Sequence, residues 1–329
     1  MGSSALIGTF IKTLLLGLCL IALARGEPQT DLLSEVHFLI PAGPGGGWDG
    51  TARGVGRALE LEQLAAQVSY ENAAGGGGGR AIAKLIETGA QQSNTLLISS
   101  TPIIVRSLQG IYPQSFRDMV PIAAVIADYS CFAVRADSPI KTFTQLAESF
   151  KAGPKSVVIA GGSVRGNTDH FVLAKAIQLA GGDPKLLRYL AYDGGGKAAA
   201  GLLSGEAEVL STGLSEALQL HESGLVRIIA VTAPEQLEDH PSLPILKDEG
   251  YDLTFANWRG FFAAKGLDPD QYVRMQNSLK AVSNSDTFET IRRRNGWVHL
   301  YIEGSEFLAF LEQQEDQISR LMKSIGYLR

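Results

Sequence analysis

Three glycine-containing loops carry the residues of this chain that could do chemistry. The first loop, residues 45–49, follows a short apolar run and opens a helix-like stretch, and similar loops lie at residues 161–166 and 194–196. The first turn of a helix has backbone N–H groups without intrahelical partners, and these groups can bind an anion. One such loop is a weak motif, but three in one chain predict a pocket built from helix N-termini.

Side chains of the middle loop add donors to the predicted pocket. Ser163, Asn167 and Thr168 offer uncharged donors, and Arg165 offers a guanidinium that can bind a carboxylate through two hydrogen bonds. A structural interpretation stands beside this one, in which Thr168 or Asp169 caps the following helix and Arg165 faces water.

Four residues near the first loop and the third strand have two possible roles each. Asp49 either holds a ligand amine or a water molecule, or caps the helix. Trp48 either walls the pocket or packs in the core. Ser100 and Thr101 lie between a predicted strand and a helix, so their hydroxyls either face the ligand or cap that helix.

The third loop repeats the order of strand, glycines and helix, and its backbone N–H groups could bind an anion. The candidate ligand-binding residues from all these segments are Gly45, Gly46, Gly47, Trp48, Asp49, Ser100, Thr101, Ser163, Arg165, Asn167, Thr168, Tyr192, Gly195 and Gly196.

A dinucleotide-binding oxidoreductase is one alternative. Residues 45–50 satisfy the pattern G-x-G-x-x-G, and Glu71 follows where such a fold places its ribose-binding acid. Against this interpretation, Trp48 is bulky where the helix must pack closely on the strand, and Pro41 and Pro44 stiffen the loop.

An exported enzyme on a similar fold is the second alternative. His170 invites a catalytic role, but nothing in the sequence pairs it with a nucleophile. The sequence has no metal-ligand spacing, no phosphate-binding P-loop and no G-x-S-x-G motif. We therefore predict neither catalytic residues, nor a metal, nor a cofactor.

Composition limits the classes of partner. The chain has 329 residues, a formal net charge of −5 and 45% hydrophobic residues. It is long enough for two domains with a full core. The negative charge disfavours nucleic acid and anionic membranes as partners.

Residues 1–24 resemble a cleavable secretory signal. They carry Lys12 as their one charge, an apolar core at 14–23, and small residues at the end. An uncleaved anchor is the alternative, although the apolar segment is short for a membrane span. Cleavage would place the mature protein in the periplasm, with Cys131 as its remaining cysteine.

Alternating apolar runs and helical stretches predict an α/β fold with mostly parallel sheets. Apolar runs at 122–126 and 131–135 are expected to be separate strands. The pattern changes near 128–137 and again near 232–234, which indicates an inserted second domain. We therefore predict lobe 1 at residues 25–128 and 234–329, and lobe 2 at 129–233.

The chain resembles the extracytoplasmic solute receptors of tripartite tricarboxylate transporters, the Bug-type binding proteins. The resemblance spans the mature chain and rests on segments such as IPAGPGGGWDGTARGVGRAL, AGGSVRGNTDH, YLAYDGGGKAAAGLLSGE and ANWRGFFA. The forms GGGWD and ANWRG resemble the tricarboxylate-receptor branch in particular.

The resemblance implies a two-lobed periplasmic-binding-protein fold of type II-like architecture, with two mostly parallel sheets flanked by helices. A small di- or tricarboxylate such as citrate would bind in the cleft, held by residues 45–49, 163–168 and 192–196. Membrane permease subunits, driven by an ion gradient, would receive the ligand, and the receptor is expected to be a monomer. The middle loop is longer and more basic than the family pattern GGSAGGTDH, which leaves the identity of the acid open.

Overall fold

The computed structural model describes residues 33–328, and the predicted signal segment, residues 1–24, lies outside this range. Strands and helices alternate through most of the described chain, which confirms the α/β class. The strands are β1 (Val36–Ile40), β2 (Val68–Asn72), β3 (Thr95–Ser100), β4 (Val120–Arg135), β5 (Val158–Gly161), β6 (Arg188–Ala191), β7 (Val209–Gly213), β8 (Val226–Val231), β9 (Ala256–Ala263) and β10 (Val298–Glu303).

Ten α-helices cover these strands in the range 33–328. They are α1 (Gly47–Leu61), α2 (Gly79–Glu87), α3 (Thr101–Leu108), α4 (Phe143–Ala152), α5 (Thr168–Leu179), α6 (Gly195–Leu203), α7 (Leu214–Glu222), α8 (Pro269–Ser283), α9 (Asp286–Arg294) and α10 (Gly304–Ser324). None of the helices in this range is long and apolar enough to cross a membrane.

The strands form two groups that share β4. On one side the order is β2-β1-β3-β9-β4, with β10 also on β4, and on the other it is β4-β7-β5-β6, with β8 also on β4. The pairs β1–β2, β1–β3, β5–β6 and β5–β7 are parallel, whereas every pair that includes β4 or β9 is antiparallel. The sheets are therefore mixed rather than mostly parallel. The strands that pair with β4, which passes from one group to the other, are antiparallel to it.

The expected break between the apolar runs at 122–126 and 131–135 does not occur. Both runs belong to β4, which pairs with β9 up to Tyr129 and with β7 from Ser130 onward. Asp128, which separates the two runs in the sequence, is fully buried and forms an ion pair with Arg259. A charged residue therefore continues the strand here, because a distant side chain compensates its burial.

A second segment crosses beside β4 at Thr232. Its hydroxyl donates to Phe255 O at 2.7 Å and accepts from Ser130 N at 3.1 Å. Phe255 N in turn donates to Thr232 O at 3.1 Å. The two crossings are thus tied together by hydrogen bonds at the boundary between the two groups of strands.

The C-terminal helix α10 packs on residues from both groups of strands. Its buried residues Phe307, Ile318 and Met322 share one apolar cluster with Phe132 of β4 and Phe171 of α5. The helix therefore spans the boundary between the two groups of strands.

Candidate functional site

A cavity of about 320 Å³ lies between the two groups of strands. Its walls come from the segments that follow β1, β2, β3, β5, β6 and β7, together with the start of β9. The carboxyl ends of parallel strands in an α/β fold are the usual location of a ligand site. Apolar surface from prolines, alanines and an indole alternates with hydroxyl, amide and carboxylate groups along these walls.

Most of the candidate residues line this cavity. They are Gly46, Gly47, Trp48, Ser100, Ser163, Asn167, Thr168, Tyr192 and Gly195. The other five, which do not line it, are Gly45, Asp49, Thr101, Arg165 and Gly196. Gly45 and Gly196 line a neighbouring cavity of about 410 Å³ instead.

Asp49 is not the N-cap of α1, and it does not line the cavity. It lies in the first turn of α1, after the N-cap Gly46, and is 5% exposed. Its carboxylate accepts hydrogen bonds from Arg53, Asn72 and Gly45 N at about 3 Å. Burial opposes ionisation, but these hydrogen bonds hold the pKa of Asp49 below its usual value. The carboxylate of Asp49 therefore pairs with Arg53 and holds the first loop in place.

Arg165 and Thr101 do not line the cavity, although Asn257, which bonds to Thr101 N, does. Arg165 is exposed, and its Nη2 donates to the backbone oxygen of Tyr189 at 3.0 Å. Thr101 N donates to Asn257 Oδ1 at 3.2 Å, so this amide caps the first turn of α3. The guanidinium of Arg165 therefore braces the loop from outside.

The first loop enters α1 without a side-chain cap. Gly47 N instead donates to Glu216 Oε1, 2.9 Å away and 169 residues along the chain. A Cβ on Gly47 would overlap Arg259 Nη2. The glycine is required because the guanidinium packs against the helix at that point. Trp48 walls the cavity, and its Nε1 donates to Ser100 Oγ at 2.9 Å.

The middle loop is ordered by its own side chains. Asn167 is the N-cap of α5 and accepts from Thr168 N at 2.9 Å. Ser163 Oγ accepts from Asp169 N at 3.1 Å. Asp169 lines the cavity, and burial together with the charge of Glu216 raises its pKa to about 7. This carboxyl group therefore titrates near neutral pH.

His170 is a structural residue. Its Nδ1 accepts from Gly166 N at 2.9 Å, and its Nε2 pairs with the hydroxyl of Tyr327 at 3.0 Å. The ring lies between Tyr189 and Tyr327, with centroid distances of 4.6 and 5.0 Å. Burial and the charge of Arg165 lower its pKa to about 4. Both ring nitrogens are occupied, which leaves none to act as a general base.

Glu216 was not among the candidate residues, although it lines both cavities and accepts a hydrogen bond from Gly47 N of the first loop. Thr212 Oγ1 and Gly213 N donate to its Oε2 at 2.6 and 3.3 Å, while Oε1 accepts from Gly47 N. A Cβ on Gly195 would overlap this carboxylate, so the third loop must carry glycine there. In the sequence, Glu216 is indistinguishable from any acidic residue in the first turn of a helix.

Arg259 and Asn257 were not among the candidate residues, although both belong to the segment ANWRGFFA. Both line the cavity. Arg259 is 3% exposed, and its Nη2 lies 2.7 Å from Asp128 Oδ2, while its Nη1 donates to Thr51 Oγ1 at 3.1 Å. The glycines of residues 75–77 also line the cavity.

The features of the dinucleotide alternative have other roles here. Glu71 accepts from Lys84 Nζ at 2.6 Å, and this pair lowers the pKa of Glu71. In the described range, 33–328, no cluster of three or more His, Cys, Asp or Glu side chains could hold a metal ion.

The model of the tripartite tricarboxylate transporter receptor family, TctC, matches residues 52–327. The chain belongs to this family. Protein BugT of Bordetella pertussis is 26% identical over 285 residues, which cover 85% of this chain and 84% of BugT. Members of the family are receptors, so this TctC-family chain is a solute-binding receptor and not an enzyme.

Solved structures show the same fold. The periplasmic binding protein BugD superposes with a TM-score of 0.81 at 22% identity, covering 89% of this chain and 98% of BugD. MatC from Rhodopseudomonas palustris, solved with bound malate, gives a TM-score of 0.77 at 17% identity, with 88% and 98% coverage. The TctC receptor described here thus has the architecture of a periplasmic binding protein.

Proposed function

We propose that this receptor captures a small di- or tricarboxylate, of the size of malate or citrate, in the 320 Å³ cavity. The observation that carries the proposal is that uncharged donors from both groups of strands converge on this cavity. Ser100 lines it from one side, and Ser163, Asn167 and Thr168 line it from the other. Hydroxyl and side-chain amide groups are suitable partners for carboxylate oxygens. The malate bound in MatC belongs to the same chemical class.

Two lobes would close over the ligand. We assign residues 25–128 and 234–329 to lobe 1 and 129–233 to lobe 2, because β4 and the segment at Thr232 both cross near these limits. Gln109 Nε2 of lobe 1 donates to Gly166 O of lobe 2 at 2.9 Å, and Gly47 N donates to Glu216. Ligand contacts from both lobes would favour the closed arrangement, since a ligand shifts the equilibrium toward the state in which it makes more contacts.

Membrane permease subunits would receive the ligand, as membership of a family of transporter receptors implies. Removal of residues 1–24 as a secretory signal would place the receptor in the periplasm. A monomer satisfies this role, because both lobes that form the cleft come from one chain.

Ligand binding to the purified protein tests the proposal. Isothermal titration calorimetry with malate, succinate, glutarate and citrate is expected to give saturable binding of one or more of these acids at a one-to-one ratio. Ligand at a hundred times its Kd adds about 2.7 kcal/mol of stability, so the melting temperature should rise by several degrees.

Thr168→Val locates the site. This nearly isosteric change removes a hydroxyl at the cavity wall, which donates to Asn167 Oδ1 at 3.2 Å and so positions that amide, and a loss of about tenfold in affinity is expected. Thr290→Val is the matched control, because Thr290 is a helical threonine exposed on α9, away from the cavity. Unchanged binding by Thr168→Val would remove the middle loop from the site, and a panel without any binding acid would refute the proposed function.

A further inference from the structure

One side chain, Glu216, already occupies the place where the first loop would hold a ligand carboxylate. Gly47 N, at the first turn of the 15-residue helix α1, donates to Glu216 Oε1 at 2.9 Å. Thr212 Oγ1 and Gly213 N hold the other oxygen. Rotation of the side chain away from the cleft would leave these three donors without their acceptor, so the carboxylate is fixed in place.

Two neighbouring glycines leave space for this carboxylate. Gly46 lies near Oε1, and Gly195 leaves no room for a Cβ beside it. Both the 320 Å³ cavity and its 410 Å³ neighbour have Glu216 in their walls. A negative charge therefore stands at the end of the ligand cavity where α1 and α6 approach each other.

The cavity offers little positive charge to balance a further carboxylate. Among the described residues that line it, the one Lys or Arg side chain is Arg259, which already forms an ion pair with Asp128 and bonds Thr51. Asp169 and Asp193 are further acidic groups in the wall, and Asp193 lies 3.6 Å from Lys197 Nζ. A ligand carboxylate beside Glu216 would meet a like charge, and the one Lys or Arg among the described lining residues is already paired with Asp128.

We propose that Glu216 is a specificity-determining residue whose carboxylate takes the place of a third ligand carboxylate, so that the receptor selects dicarboxylates and rejects tricarboxylates. This inference rests on the proposed function and deepens it, since it chooses between the two acid classes. The ligand places its carboxylates toward the hydroxyl and amide groups of Ser100, Ser163, Asn167 and Thr168. Its remaining end, toward Glu216, is uncharged or carries a hydrogen-bond donor.

Two pairs of acids isolate the third carboxylate. Propane-1,2,3-tricarboxylate is glutarate with one added carboxylate, and citrate is citramalate with one added carboxylate. Calorimetric Kd values for both pairs are measured with the wild-type receptor and with Glu216→Gln, which keeps the shape of the side chain and removes its charge. Glu222→Gln is the matched control, because Glu222 is an exposed residue on the same helix α7.

The wild type is expected to bind the dicarboxylate of a pair at least tenfold more tightly than the tricarboxylate. Glu216→Gln should reduce the ratio of the tricarboxylate Kd to the dicarboxylate Kd at least fivefold, by binding the tricarboxylate more tightly. Glu222→Gln should leave this ratio unchanged. Equal or tighter tricarboxylate binding by the wild type overturns the inference even if Glu216→Gln does not fold. A ratio within twofold of wild type in a folded Glu216→Gln variant also overturns it. Either result leaves the proposed function standing, whereas a receptor that binds no carboxylate refutes the proposed function itself.

Discussion

Arg259 Nη2 lies 2.7 Å from Asp128 Oδ2, and neither side chain is more than 3% exposed. Asp128 belongs to the strand that both groups of strands share, and it also accepts from Ser215 Oγ at 2.6 Å at the start of α7. Arg259 in turn reaches Thr51 in α1. The pair therefore connects the crossing strand to one helix on each side of the cleft.

Removal of one partner of this pair should be costly, because a buried charge would be left without compensation. Asp128→Asn is expected to lower the free energy of unfolding by about 3 kcal/mol in urea denaturation. Asp137→Asn, which breaks an exposed ion pair with Arg135, is the control and should change it by less than about 1 kcal/mol. Similar losses from the two variants would show that the buried ion pair contributes no more to stability than the exposed one.

Gly47 and Gly50 lie in the same helix but should respond to alanine in opposite ways. A Cβ at Gly47 meets Arg259, which is held in place by Asp128, so Gly47→Ala should destabilise the protein by about 2 kcal/mol. A Cβ at Gly50 meets nothing within 4 Å, so Gly50→Ala should stabilise it by up to about 1 kcal/mol through helix propensity. Thermal denaturation of the two variants checks both signs, and equal effects would contradict the close packing of Arg259.

His170 should make stability depend on pH. Its pKa falls from 6.5 to about 4 on folding, so the unfolded chain takes up a proton that the folded chain refuses. This contribution is fully present above about pH 6.5 and is lost as the pH falls toward 4, by about 3 kcal/mol at most. The raised pKa of Asp169 acts in the opposite direction between about pH 4 and 7.

The difference between variants separates the two groups. His170→Gln should remove the His170 contribution, so that its unfolding free energy falls less steeply than that of wild type between pH 6.5 and 4. His299→Gln replaces an exposed histidine and serves as the control. Parallel pH profiles for wild type and His170→Gln would show that His170 does not cause the loss of stability at low pH.

Asp169 should make carboxylate binding depend on pH. Its pKa of about 7 means that the group in the cavity wall is largely protonated at pH 6 and ionised at pH 8. If the proposed function is correct, affinity for malate should fall roughly tenfold from pH 6 to pH 8. The reason is that the negative charge of Asp169 then adds to that of Glu216 in the cavity wall. Asp169→Asn should abolish most of the dependence in calorimetric titrations. A wild-type affinity that stays constant from pH 6 to 8 would contradict this role.

The sequence determined the features that arise locally. A strand that ends in glycines and leads into a helix brings first-turn N–H groups and loop side chains to one edge of a sheet, whatever the rest of the chain does. The α/β class and the placement of Trp48, Ser163 and Asn167 at the cavity follow from such local patterns. Family membership was likewise readable from several short segments taken together, such as IPAGPGGGWDGTARGVGRAL and ANWRGFFA.

Only the tertiary structure decided which charged groups meet. Gly47 and Glu216 are 169 residues apart, and Arg259 lies 131 residues from Asp128. No local pattern marks Glu216, and Asp128 resembled a break between strands until its partner was known. Arg165, the most suggestive cation in the sequence, is exposed, and its Nη2 donates to Tyr189 O. The burial of a charge depends on what other segments place beside it, and that information is spread over the whole chain rather than held in any one loop.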